Sequence, residues 1–136
     1  MWIYSQVSGK LYRKTSVSLN LIATGYSGYD ALKNDPKMQK VVGLGPIPRG
    51  DWTLGTISDV SPGGKNLPKS IPLTPSADTD TFGRNGFLIH GDSAAKPGTI
   101  SEGCIIIAER AVRELMGASG DLDLKVVEVD PIWIPH

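Results

Sequence analysis

Apolar and polar positions alternate along much of this chain, the period-two pattern of strands with one face toward a core. "WIYSQVS" sets Trp2, Tyr4 and Gln6 on one face and Ile3, Ser5 and Val7 on the other. Neither face is purely apolar. Ser8-Gly9 then marks a turn, and "KLYRKT" continues the pattern, which predicts a hairpin. In "SVSLNLIAT" the alternation sets Val17, Leu19, Leu21 and Ala23 opposite Ser18 and Asn20. "DWTLGTI" and "LDLKVVEVD" read as further strands, and "GFLIH" and "CIII" as two short apolar ones. The 3.6-residue helical period is convincing only in "AERAVRELMGASG", where Ala111, Val112, Leu115 and Met116 share a side and Gly117 or Gly120 stops the helix.

Loops fill the remainder. "GYSGYD" is glycine-rich, and Pro36 limits "DALKNDPKMQKV" to a short helical turn. "GLGPIPRG" reads as a rigid loop. Residues 58–80 read as a long polar loop around a short extended "IPLTP", a lid or a tolerated insertion. Neither a linker nor a repeat interrupts the chain. Residues 1–136 are expected to form one mainly β (β-rich α+β) domain with one main helix.

Composition narrows the chemistry. The 16 glycines and 10 prolines suit a loop-rich β protein. Fourteen basic and 14 acidic side chains cancel, which leaves no bulk charge to draw nucleic acid or an anionic membrane. One cysteine excludes an intramolecular disulfide framework and any multi-cysteine metal site. His90 and Asp92 are too few for a zinc site, and His136 reads as a solvated tail, so no metal or cofactor is expected. No apolar run is long enough to span a membrane. The start "MWIYSQVSGKLYR" lacks a basic segment followed by an apolar one, so no secretory signal is expected.

The remaining question lies in "GFLIHGDSAAKPGTISEGCIII", residues 86–107. His90 ends one short strand and Cys104 begins another. Were those strands neighbours, imidazole and thiol would meet at one rim of the sheet, under a surface loop of residues 91–103. A free thiol is only a few per cent ionised at neutral pH, and a histidine within hydrogen-bond reach can take its proton. Gly103 leaves room for substrate, and the N–H groups of Gly103 and Cys104 can face a developing oxyanion. Ser101 can orient His90 or donate to that oxyanion. The competing reading is a core thiol, because cysteine is often buried and Cys104 leads into Ile105, Ile106 and Ile107.

"HGDSAAKPGTISEGC" is similar to the signature of YkuD-type L,D-transpeptidases: His-Gly, a loop, then Ser/Thr-x-Gly-Cys. The whole chain more closely resembles the Tlde1 family of L,D-transpeptidase-like effectors of type VI secretion. The matching segments, in order, are Trp2-x-Tyr4-x-Gln6-x-x-Gly9-x-Leu11, "ATGYSG" (23–28), "GPIPRGDWTLG" (45–55), "LTP" (73–75), "FGRNGFLIHGD" (82–92) and "SEGCIII" (101–107). The resemblance implies a YkuD-like β-sandwich or barrel-like domain with its main helix after the cysteine. It implies Cys104 as nucleophile, His90 as its base, and Ser101 and Gly103 as part of the catalytic element. Arg84, Gly91 and Asp92 match the substrate side. Arg84 would hold a substrate carboxylate, or pair with Asp92 or another acid, and Asp92 after Gly91 suits a loop cap. The chain departs from the wider YkuD pattern at Glu102, where histidine is common, and at Ile106, where arginine or asparagine is common.

The implied substrate is the peptidoglycan stem tetrapeptide, cleaved or exchanged through a thioester. The implied partners are an immunity protein and a component of the secretion apparatus, with the protein itself a monomer. Such a protein would be made in the cytoplasm and delivered to the periplasm of a target bacterium. A cysteine peptidase of the NlpC/P60 type would place cysteine before histidine, whereas here only His136 follows Cys104. A non-catalytic wall-binding or phage/secretion-tail module of the same fold would not need a thiol beside a base.

Overall fold

The computed structural model describes residues 1–61, 66–93, 98, 101 and 103–134. His136, Glu102 and most of the 94–100 stretch lie outside the described residues. Among the described residues, ten strands and one α-helix follow in the order β1 (Trp2–Ser5), β2 (Lys10–Lys14), β3 (Leu19–Thr24), β4 (Tyr26–Ser27), β5 (Gly50–Leu54), β6 (Ser58–Val60), β7 (Leu67–Pro75), β8 (Leu88–His90), β9 (Ile105–Ile106), α1 (Arg110–Ala118) and β10 (Asp123–Val127). Two 3-10 turns, Asp30–Leu32 and Pro36–Met38, occupy the segment that Pro36 keeps from becoming a longer helix. The domain is mainly β with one α-helix, as the alternation predicts.

The strands join in one path, β3-β2-β1-β10-β5-β7-β8-β9-β4, with β6 added beside β7. No ladder pairs β3 with β4, so the sheet is open. Yet these two ends of the path are consecutive in sequence, separated by Gly25 alone. The sheet must therefore roll until its ends meet, which gives the barrel-like form without barrel closure. At the meeting point the Gly25 N–H donates to the Gly9 carbonyl at 2.7 Å. A Cβ on Gly25 would lie 1.8 Å from the Ile106 carbonyl oxygen, so only glycine lets the backbones pass.

The β1–β2 hairpin forms as predicted, but all four β1 residues are buried. The cause is β10, which pairs parallel with β1 on its other side and makes it a central strand. Three other expectations need correction. In β3 the register slips opposite Leu11/Tyr12, and Ile22 becomes the extra residue of a bulge. Ile22 and Ala23 then both pack on the core, while Leu21 and Val17 face solvent. Within residues 58–80 the structure has β6 and the nine-residue β7, not a polar loop. β7 pairs with β5, β6 and β8 and sends Ile71 and Leu73 into the core. Helix α1 runs through Gly117 to Ala118, and its inner face is Val112, Arg113 and Met116, with Leu115 exposed. Gly117 lets Ile57 come close, since a Cβ there would sit 2.6 Å from the Ile57 Cγ2.

One surface cluster ties β1 and β2 to the segment after β10. Tyr12 Oη donates to Asp130 Oδ2 at 2.6 Å and Ser5 Oγ donates to Asp130 Oδ1 at 2.7 Å. The bond to Asp130 holds the Tyr12 phenol up at about 12. Desolvation pushes the Asp130 carboxyl up, but hydrogen bonds from Tyr12, Ser5 and Ser8 outweigh it and hold the group below its ordinary value. The native state thus keeps the Tyr12 proton longer than the unfolded chain and gives up the Asp130 proton sooner. Stability from Tyr12 is present below about pH 10 and is lost as pH rises toward about 12. Stability from Asp130 is lost as pH falls below the ordinary carboxylate range. Melting temperatures across this range should decline at both ends, and Tyr12→Phe should flatten the alkaline decline. An alkaline limb identical in Tyr12→Phe would contradict the cluster.

Candidate active site

β8 and β9 are neighbours and run parallel, with Ile89 opposite Ile105 and His90 opposite Ile106. Ile89, Ile105 and Ile107 point into the core cluster, as does Phe87. Alternation then puts Leu88, His90, Cys104 and Ile106 on the other face of the sheet. Extending the register by one residue sets Cys104 opposite Leu88, diagonal to His90. Strand spacing and rise separate such diagonal backbones by about 8 Å, a span that an imidazole and a thiol can bridge. Parallel pairing offsets the two residues along the strands, so they share a sheet face instead of the single rim expected from sequence. Cys104 is half-buried, unlike the three isoleucines that follow it, each at most 1 % exposed. The thiol is therefore not a core residue.

His90 is buried, and its Nδ1 lies 2.8 Å from the Gly91 carbonyl oxygen. A carbonyl only accepts, so Nδ1 carries the hydrogen and Nε2 is the basic nitrogen. Gly91 thus acts on the histidine through its carbonyl. On its other side its α-carbon faces the Arg113 guanidinium, which a Cβ would approach to 3.0 Å. Arg113 in turn donates to the carbonyls of Ile107 at 2.7 Å and Lys69 at 2.9 Å, and so fastens α1 to the end of β9 and to β7.

The turn before Cys104 is built by Ser101 and Gly103. The fully buried Ser101 Oγ donates to the Cys104 carbonyl at 2.7 Å. It accepts from the Gly28 N–H at 2.9 Å and from the Gly103 N–H at 3.3 Å. Its one proton goes to the Cys104 backbone, so the structure places Ser101 as the brace of the turn. Ser101→Ala leaves the Gly28 N–H without its acceptor, at a cost of about 1–3 kcal/mol. A fall of several degrees in melting temperature is expected. An unchanged melting curve would contradict the bridging role.

Asp92 fastens the loop that starts after His90. Its carboxylate accepts from Tyr26 Oη at 2.7 Å, the Ser93 N–H at 2.8 Å and the Gly98 N–H at 2.9 Å. This is the geometry of a loop cap anchored on β4. Arg84 is buried, and its guanidinium donates to the carbonyls of Gln39, Pro46 (2.8 Å) and Gly45 (2.8 Å). No pairing of Arg84 with Asp92 or another acid occurs among the described residues. Burial lowers the Arg84 pKa, and attraction to Cys104 pulls it back up. One guanidinium nitrogen lies directly against Gly103, at 2.2 Å from where a Cβ would stand.

Two glutamines support this arrangement. Gln6 Nε2 donates to Gln39 Oε1 at 3.1 Å and to the Ile47 carbonyl at 2.9 Å. Gln39 Oε1 also accepts from the Arg49 N–H at 3.0 Å, while its own carbonyl receives Arg84. Ser27 Oγ accepts from the Ile47 N–H at 2.8 Å and donates to the Gly103 carbonyl at 3.4 Å. Sequence reasoning missed Gln39, which sits in a polar stretch with no distinguishing pattern. Arg113 could have been found, since its spacing between Val112 and Met116 puts it on the inner face of the helix.

No helix among the described residues is long and apolar enough to cross a membrane. Comparison with curated proteins and with solved structures found no match. A family model described as the Tlde1 domain matches residues 22–128, a span containing β8, β9 and the sequence from His90 to Cys104. The chain therefore belongs to the Tlde1 domain family, and that membership points to a type VI secretion effector.

Proposed function

We propose that this protein is a peptidoglycan-modifying cysteine L,D-transpeptidase and L,D-carboxypeptidase, delivered by type VI secretion into the periplasm of a target bacterium. The observation that carries the reading is the parallel β8–β9 pairing, which sets His90 opposite Ile106, two residues after the half-buried Cys104. Family membership supports the effector assignment.

In this reading His90 Nε2 takes the Cys104 proton. Sγ attacks the carbonyl at the L-centre of the third residue of the stem tetrapeptide. The tetrahedral intermediate collapses as the C–N bond to the terminal D-alanine breaks and imidazolium protonates the departing amine. A thioester remains on Cys104. Water attack releases a tripeptide carboxylate and restores the thiol, which is the carboxypeptidase outcome. Attack by the amine of a D-amino acid or of another stem forms a new amide, which is exchange or cross-linking. Loss of donor tetrapeptides weakens the wall, and a cognate immunity protein would protect the producer.

The test is incubation of the protein with purified tetrapeptide muropeptides, followed by mass spectrometry for loss of D-alanine. Tripeptide product or D-amino-acid exchange is expected. Unaltered tetrapeptide would overturn the enzyme reading and leave a binding module of the same fold.

A further inference from the structure

The Arg84 guanidinium has no place in the reaction as written, yet the fold invests heavily in it. It is buried, it is pinned to three carbonyls of the segment between the Pro36–Met38 turn and β5, and it presses on Gly103 beside the nucleophile. We propose that Arg84 is a fixed cation that holds Cys104 in its thiolate form, a positioning residue that acts through the nucleophile. The proposal rests on the reading of Cys104 as nucleophile.

Three features carry it. First, the hydrogen-bond partners of Arg84 among the described residues are neutral carbonyls and its guanidinium lies over the Phe87 ring at 5.2 Å, so its positive charge is oriented without being cancelled by a carboxylate. Second, Gly103 has φ +116° and no side chain, which lets the guanidinium approach the residue next to the thiol. Third, the attraction is mutual. A Cys104 thiolate favours the charged guanidinium, and the guanidinium must favour the thiolate by the same amount.

The other charged groups near the site are otherwise engaged. His90 ends β8, the strand paired with β9, and the Cys104 thiol lies 3.8 Å from the Gly86 carbonyl oxygen. The Asp92 carboxylate is taken up by Tyr26, Ser93 and Gly98. Lys33 stacks over the Tyr26 ring at 4.6 Å, and Arg113 lies behind Gly91. Anchoring by backbone carbonyls also distinguishes Arg84 from a flexible clamp that closes on a substrate carboxylate. A cation in a buried, pre-oriented site acts on the thiol before substrate arrives, at no reorganisation cost.

The experiment follows iodoacetamide alkylation of the single thiol against pH, in wild type, His90→Ala and Arg84→Gln, with circular dichroism to verify folding. An ordinary thiol titrates near 8.5. His90→Ala removes the imidazole but leaves Arg84, and its alkylation midpoint is expected to stay clearly below that value. Arg84→Gln is expected to raise the wild-type midpoint by about one unit, seen as a roughly tenfold slower reaction near pH 6. A midpoint near 8.5 in His90→Ala would overturn the proposal, as would an unmoved midpoint in folded Arg84→Gln. If Arg84→Gln does not fold, the His90→Ala arm alone decides. No muropeptide enters this assay, so the stem-peptide reading and the thiolate proposal fail by different results.

Discussion

Cys104→Ala is expected to fold as the parent does and to lose turnover of tetrapeptide muropeptides by at least about 10³-fold. The two halves of this expectation have separate causes. Cys104 is half-buried and lies outside the core cluster, so deleting its sulfur opens no sealed cavity and should cost about 1 kcal/mol or less. Turnover fails because the two hydroxyls among the described residues that bond the Gly103–Cys104 backbone are already committed. The Ser101 hydroxyl is committed to the Cys104 carbonyl, and the Ser27 hydroxyl to the Gly103 carbonyl. His90→Ala should lose activity comparably, because no other imidazole lies among the described residues. D-Alanine release by Cys104→Ala at anything near the wild-type rate would place the nucleophile elsewhere.

Gly25→Ala is expected to lower stability by at least about 3 kcal/mol, a fall in melting temperature of roughly 10 °C. The added carbon would sit 1.8 Å from the Ile106 carbonyl oxygen and 2.9 Å from the Ile107 side chain. The first obstacle is backbone, which cannot swing away as a side chain can. Relief requires β4 to separate from β9, where Tyr26 pairs with Ile106 and Ser27 with Ile105. β9 also carries the turn that presents Cys104, so surviving folded protein should lose activity as well. Thermal unfolding followed by circular dichroism measures the effect. A melting temperature within about 2 °C of the parent would contradict the close approach of the two ends of the sheet.

Much of the site was readable because its residues are neighbours in the chain. His90, Gly91, Asp92, Ser101, Gly103 and Cys104 fall within fifteen positions. Their spacing between two apolar runs marked a strand end, a loop and a strand start. The bracing of that site was not readable, because it comes from distant segments. Gln39, Gly45 and Pro46 supply the carbonyls that hold Arg84, Tyr26 reaches Asp92, and the Gly28 N–H meets Ser101. Backbone carbonyls and amides have no sequence signature, since every residue except proline carries both.

The sequence by itself determined the β-rich class, the single helix, the first hairpin and the two short strands around Cys104. These follow from local periodicity and from turn residues, which act over a few positions. Tertiary structure alone decided which strands are central, and so which polar positions are buried. β10 covers β1 and hides Ser5 and Gln6, and β7 takes a place between β5 and β8 despite its polar, proline-containing sequence. It also decided that β8 and β9 run parallel, which turned a shared rim into a diagonal pair on one face. Strand direction and pairing are settled by which edges the rolled sheet brings together, a property of the whole chain that no local window contains.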